Sequence, residues 1–202
     1  MASGHSTDQL GRVLPDCTWP ADKAAPDALD LIRRFCNTCN HESGADRFET
    51  IEGLRRWHDE QISTIDESPD ESDRRRLVAI REHLRSHALA HHDSSADSAF
   101  AVPLDRSIAD VPIALDVDGG RLAILPTAPD VASRTIGLLA IAVMDAQRTD
   151  RWRRFKACPS CEWVFYDRSK NHTGRWCSMN ACGGRAKVAA FRERQRQRKA
   201  AT

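Results

Sequence analysis

The chain of 202 residues lacks any long apolar run: its longest uncharged stretch, Thr135 to Met144, has ten residues. That is about half of what a bilayer-spanning helix needs. The opening residues, MASGHSTDQL, lack the basic-then-apolar layout of a secretory signal. Both absences lead us to expect a cytoplasmic protein with no membrane association. In that compartment the seven cysteines read as metal ligands or buried thiols before disulfides. Repeats and low-complexity tracts are missing too. No nucleophile, base and orienting group stand at a recognisable motif, so no enzyme is expected. Net charge is also lacking: 30 Lys+Arg against 29 Asp+Glu leave +1. As a total, that argues against a nucleic-acid binder, which needs basic surface. What is present is enough apolar sequence for a core, 41%, and 29% charged residues.

The charge is unevenly spread. Residues 1–150 hold 16 Lys+Arg and 26 Asp+Glu, net −10; residues 151–202 hold 14 and 3, net +11. A sign asymmetry this sharp marks two functional modules. The last 52 residues also carry four of the seven cysteines and three of the five tryptophans.

Residues 1–25 read as an irregular lead. Ala28 to Cys39 places Leu31, Ile32, Phe35, Cys36 and Cys39 on one helical stripe, with Gly44 as a break. On that stripe Cys36 and Cys39 are buried free thiols rather than, with His41, a second metal site. Thr50 can cap a second helix that turns Ile51, Leu54 and Trp57 inward. Asp66 to Asp73 is an acidic loop. Arg74 to His92 is a long helix with Leu77, Ile80, Leu84 and Ala88 as its apolar face; His83, His87 and His91 recur on it every four residues. Residues 92–99 are polar and read as mobile. Residues 111–126 alternate apolar and other residues around Asp118-Gly119-Gly120, a β-hairpin. Pro129 opens a helix to about Arg148 that buries Ile136, Leu139 and Val143.

Cys158 and Cys161 form C-x2-C, Cys177 and Cys182 form C-x4-C, and fifteen residues separate the pairs. Four thiolates at about 2.3 Å satisfy tetrahedral zinc, and a C-x2-C turn lets two sulfurs grip one ion. Trp163, Phe165 and Trp176 suggest two short strands between the pairs, covering a site too small to build its own core. Four thiolates fill the shell, so His172 is not needed and the single zinc is structural. No βαβ pattern surrounds the C-x2-C, which disfavours a redox motif. The order knuckle, hairpin, helix is that of a treble-clef zinc ribbon.

From Gly184 onward, Arg185, Lys187, Arg192, Arg194, Arg196, Arg198 and Lys199 face nearly every direction of a helix, with only Val188, Ala189 and Phe191 to pack. A metal-stiffened stub projecting such a helix suits a DNA groove. Arg153, Arg154, Lys156, Arg168, Lys170 and Arg175 would add phosphate contacts, and Asn171 or Asn180 could read a base edge. The competing reading is a protein-interaction module, in which the basic helix docks on an acidic partner, on another copy's acidic half, or on RNA.

The runs CEWVFYDRSKNHTGRW and WCSMNACGGRAK resemble the CGNR zinc finger family, which pairs this finger with an N-terminal helical domain called ABATE. Phe35-Cys36-Asn37-Thr38-Cys39, Gly44-Ala45-Asp46-Arg47, Thr50 to Trp57, and Arg81-Glu82-His83-Leu84-Arg85 are similar to that domain's pattern. The resemblance spans about residues 28 to 195. It departs at Gly184, where the signature has Asn, and in the compact first cysteine pair. It implies a bacterial, stress-induced transcription regulator that binds DNA through the finger, at the nucleoid when bound.

The fold expected is therefore α+β. A mainly α, acidic ABATE-like domain (26–150) carries a β-hairpin at 111–126. A small treble-clef-like zinc ribbon with a basic C-terminal helix follows (151–202). The N-terminal domain would sense a small-molecule effector or form a homodimer. An aromatic wall with polar handles, Asn37, Trp57, Arg81 and Arg85, is the candidate ligand pocket between the long helix and the hairpin.

Overall fold

The computed structural model describes residues 24–62, 67–92, 108–118 and 120–200. The expected irregular lead lies outside these residues except for its last two, and the polar stretch after His92 lies outside them entirely. The architecture is α+β, with five α-helices and three two-stranded antiparallel sheets among the described residues.

Helix α1 (Leu29–Cys36) buries Leu29, Ile32, Phe35 and Cys36. It ends earlier than its apolar stripe suggests. Thr38 Oγ1 turns back to donate to the Phe35 carbonyl, and the chain then leaves the helix as β1 (Cys39–Asn40), paired with β2 (Ala45–Asp46). Cys39 is thus on a strand and half-buried, not on the helical face with Cys36. Gly44, at φ +75°, takes the left-handed position in the turn between them.

A single 3-10 turn, Arg47–Glu49, leads into α2 (Ile51–Gln61), whose Thr50 side chain accepts from Gly53 N–H. Leu54 and Trp57 are buried as expected, but Ile51, in the first turn, faces solvent. Phe35, Phe48 and Trp57 pack into one cluster of tilted and edge-on rings with centroids 5.3–5.8 Å apart.

Helix α3 (Glu71–Ala90) starts three residues before the expected Arg74. Asp70 accepts from Asp73 N–H while Asp73 accepts from Asp70 N–H, a reciprocal cap. The end of the acidic stretch is therefore the first turn of a helix, where the positive helix terminus favours carboxylates. Leu77, Ile80, Leu84 and Ala88 are buried together.

Strands β3 (Ile113–Asp118) and β4 (Arg121–Pro126) form the expected hairpin, paired from Ile113↔Pro126 to Asp118↔Arg121. Its base sits tightly on α4 (Val131–Arg148): a Cβ on Gly137 would come within 2.6 Å of Pro126 Cβ. Further along, the apolar residues Ile113, Leu115, Val117 and Leu122 are 60–70% exposed. Asp130 caps α4 by accepting from Ser133 N–H.

Strands β5 (Phe155–Ala157) and β6 (Val164–Tyr166) are short and entirely buried. Phe155, Ala157, Val164 and Tyr166 join the core of α1, α3 and α4; Phe165 turns the other way, onto the C-terminal cysteines. The charge boundary near Asp150 is therefore not a packing boundary. Asn37 makes this explicit. Its Nδ2 donates to the Val164 carbonyl at 2.8 Å and its Oδ1 accepts from Val164 N–H at 2.9 Å. The histidines after α3 add to the seam: His91 Nδ1 lies 2.7 Å from the Phe155 carbonyl and His92 Nε2 lies 2.7 Å from that of Ala157.

Asn37→Ala would leave two buried backbone groups of Val164 unpaired, a cost of about 2–4 kcal/mol. Ile51→Ala, at an exposed position, should stay within about 0.5 kcal/mol of wild type. Denaturant unfolding of the zinc-loaded chain measures both. A second expectation concerns pH. Burial, then the neighbouring His83 and His91, push His87 down to about 4. The unfolded chain takes up this proton from about pH 6.5 downward, whereas the folded chain resists until about pH 4, so stability falls across that window. His87→Gln should flatten that slope in unfolding curves taken at successive pH values.

Candidate metal centre

The peptide turn between β5 and β6 carries the first cysteine pair. Cys158 N–H donates to the Trp163 carbonyl, Glu162 N–H donates to that of Cys158, and Glu162 takes φ +58° to close the turn. The hairpin thus brackets the first pair. Sequence reasoning put two strands between the pairs; only β6 lies there among the described residues.

The second pair is brought up by a loop that is fastened, not stranded. Lys156, buried on β5, donates to Asp167 at 2.8 Å and to the His172 carbonyl at 2.6 Å. Asp167 also accepts from Ser169 and Gly174 N–H groups. Burial works upward on this carboxyl, but the Lys156 and Ser169 hydrogen bonds hold it down at about 2. Gly174 is required here, since a Cβ would meet Asp167 Oδ1 at 2.5 Å. Lys156 is accordingly a structural ion-pair partner, not the phosphate contact its charge suggested. His172 is exposed, offers its carbonyl to Lys156, and lies outside the cysteine cluster.

Beyond Cys177, Ser178 accepts from Ala181 N–H and opens a π-type turn, Met179–Gly183, which swings Cys182 inward. Gly183 is close to Met179 and Trp176, where a Cβ would come within 3.0–3.1 Å and oblige those side chains to give way slightly. At Gly184 a Cβ would meet only Met179 O at 3.8 Å, so the family's Asn is sterically admissible there.

The result is four buried sulfurs, those of Cys158, Cys161, Cys177 and Cys182, all within 4.8 Å of one another. Three separations are 3.5 Å (161–177), 3.6 Å (161–182) and 3.7 Å (177–182). A tetrahedron of thiolates at about 2.3 Å from zinc has edges of about 3.8 Å, so the cage fits that ion. The hydrogen bond to the Cys158 sulfur pushes the Cys161 thiol up to about 12. Sulfurs this close need a divalent cation to shed all four protons. Arg185 Nη2 donates to Cys182 Sγ at 3.1 Å and so supports the charge of the cage from outside. The same guanidinium pairs with Glu42 in the β1–β2 turn. Nothing in the spacing of the sequence pointed to Glu42.

From Gly184 the chain continues as α5 (Gly184–Ala200), on which no residue is buried. Lys187, Arg192, Arg194, Arg196 and Arg198 are all exposed on it. Lys170 and Arg175 are exposed on the loop before Cys177. Arg168 is exposed as well, with its guanidinium 5.7 Å from the Tyr166 ring centroid and Nη2 donating to the Ala24 carbonyl. Among the residues read as DNA contacts, Arg185 is the one that binds a sulfur of the cage. A groove of about 470 Å³ runs beside the start of α5, lined by Asn180, Ala181, Arg185, Val188, Ala189 and Arg192.

The residues read as a ligand pocket have other work. Arg81, 2% exposed, gives Nη1 and Nη2 to the two Asp46 oxygens at 2.6 Å each and Nε to Glu82 at 2.7 Å. Arg85 donates to Glu82 and to the carbonyls of Cys36, Cys39 and Glu162. Trp57 is core and Asn37 clasps β6. The two guanidinium groups are spent inside the protein, Arg81 on the Asp46 and Glu82 carboxylates and Arg85 on Glu82 and three backbone carbonyls.

A small cysteine cage closed by a hairpin turn and a helix start marks a zinc-binding module, and the cluster fits a zinc ribbon. The CGNR zinc finger family model matches residues 154–195, roughly a fifth of the chain. No curated protein matches the chain. Cys158, Cys161, Cys177 and Cys182 are positioned to bind one zinc ion, as the spacing predicted. Among the described residues no helix is long and apolar enough to cross a membrane.

Cys177→Ser should remove one equivalent of zinc per chain and loosen the segment between β6 and α5. Metal analysis, with near-ultraviolet circular dichroism of Trp163 and Trp176, checks this. Cys158→Ser with Cys161→Ser should remove the same equivalent; a double variant that holds as many zinc ions as the wild type contradicts the assignment.

Proposed function

We propose that the protein is a DNA-binding transcription regulator whose finger holds α5 against the duplex and whose N-terminal half is an ABATE-type domain that responds to a ligand or dimerises. It acts by binding, not catalysis, in the bacterial cytoplasm. The observation that carries the reading is α5 itself: a helix of 17 residues, none buried, with seven cationic side chains and the single acid Glu193. Helices polar all round have no core to lie on. At 1.5 Å per residue it is about 25 Å long, enough to follow a major groove. Exposed Lys170 and Arg175 on the preceding loop extend the basic surface. The resemblance to regulators of the CGNR type supports the same reading.

A second reading, docking on an acidic protein surface, is favoured by one contact. Arg185 of the basic segment already pairs with Glu42 of the acidic half.

Gel retardation separates the two. Arg192, Arg194, Arg196 and Arg198 changed together to Glu should abolish DNA binding while the cysteine cage keeps its zinc. If about five phosphates are engaged, log K should fall with log salt at a slope of about −4.5. Absence of salt-sensitive DNA binding in the wild type would transfer the basic helix to the protein-docking reading.

A further inference from the structure

We propose that Cys39, His41 and Glu82 form a second site for a divalent cation of the zinc class, alongside the tetrathiolate cage. Cys39 stands on β1, and His41 opens the turn that follows that strand. Glu82 faces them from α3. Sulfur, imidazole nitrogen and carboxylate oxygen all lie within 4.8 Å of one another.

The setting of His41 carries the argument. Its Nδ1 is 3.1 Å from Glu162 Oε2 and its Nε2 is 3.3 Å from Glu82 Oε2. A neutral imidazole has one N–H. If Nδ1–H donates to Glu162, the Nε2 lone pair confronts a carboxylate oxygen, and a cation between the two resolves the conflict. A histidine whose far nitrogen is held by a carboxylate is the usual arrangement of a metal-bound imidazole. Here Glu162 is that carboxylate.

Glu82 is held ready in the same way. Arg81 Nε donates to Oε1 at 2.7 Å and Arg85 Nε to Oε2 at 2.9 Å. A carboxylate offers about four lone-pair sites, so both oxygens keep one in reserve. The local charge also accommodates a cation. Asp46, Glu82 and Glu162 outnumber Arg81 and Arg85 by one, and a Cys39 thiolate adds a second negative charge against a divalent ion.

A thiolate, an imidazole and a carboxylate suit zinc and its first-row neighbours, not magnesium or calcium. Three protein ligands leave a fourth position for water or an outside ligand. The site would bind the β1–β2 turn to α3. Through Glu162, the residue after Cys161, it would also touch the knuckle of the first cage.

The test is metal counting on the full chain, loaded with excess zinc and exchanged into metal-free buffer. Two zinc ions per chain are expected for the wild type and one for either Cys39→Ser or His41→Ala. His41 is exposed and Cys39 half-buried, so neither change should disturb the core. Cobalt in place of zinc reports the first cage through the strong charge-transfer absorption of its four thiolates, which should persist in both variants, less at most the contribution of the single Cys39 thiolate. Glu162→Gln should weaken the second ion by about 10–100-fold. One zinc in the wild type, as an imidazolium bridging two carboxylates would give, overturns the proposal. So do two zinc ions that persist in both variants. No DNA enters the measurement, so its result is independent of the regulatory reading.

Discussion

The structure turns on a side chain that imitates a strand. The Asn37 carboxamide meets Val164 N–H and C=O as a neighbouring β-strand would. Among the described residues strands β5 and β6 have only each other as strand partners, and a lone pair of three-residue strands does not hold in water. Asn37 on one side and the α3 face on the other supply what a third strand would. Because β6 alternates, Val164 and Tyr166 then belong to the helical core and Phe165 to the cysteine core. The two cores meet back to back through one short hairpin. Whatever orders α1 and α3 therefore orders the peptide that carries Cys158 and Cys161.

Much of this was legible beforehand, for physical reasons that differ by element. The long helix showed itself because Leu77, Ile80, Leu84 and Ala88 must share one side to be buried. The metal cage showed itself because thiolate spacing is dictated by the ion rather than by the rest of the fold. Burial of charge was not legible. Lys156, Arg81 and Arg85 read as surface or ligand-binding groups, and all three are buried. Their partners, Asp167, Asp46 and scattered backbone carbonyls, come together only in three dimensions. Cys39 failed for a related reason. Periodicity counted it into α1, but Thr38 turning back on Phe35 moves it onto a strand. The alternation of residues 111–126 identified the hairpin correctly and could not say that Leu115, Val117 and Leu122 would be left exposed.

The near-zero net charge takes on a different meaning with the fold in view. The −10 and +11 segments are not independent bodies joined by a linker, since β5 and β6 are set into the acidic half. Their charges nonetheless act separately. Screening at physiological salt extends about 8–10 Å, and α5, about 25 Å long by its rise, buries no residue against the body. Most of its cations are thus felt as a local positive rod rather than as part of a neutral whole. The exception is Arg185, at the root of the helix, where Glu42 is within reach.

That root is also where metal and helix meet. Cys182 sits in the π-type turn from which α5 springs, and Arg185 binds its sulfur from the first turn of the helix. A π-type turn is wider than an α turn and uncommon without a local reason; here the reason is the pull of Cys182 into the cage. The direction in which α5 leaves the body is consequently set by the fourth cysteine and its guanidinium more than by the helix itself, no residue of which is buried. Loss of the ion would relax this turn first. The helix would keep its charge but lose its bearing, and a rod of positive charge without a fixed bearing still attracts a polyanion while no longer holding a register upon it.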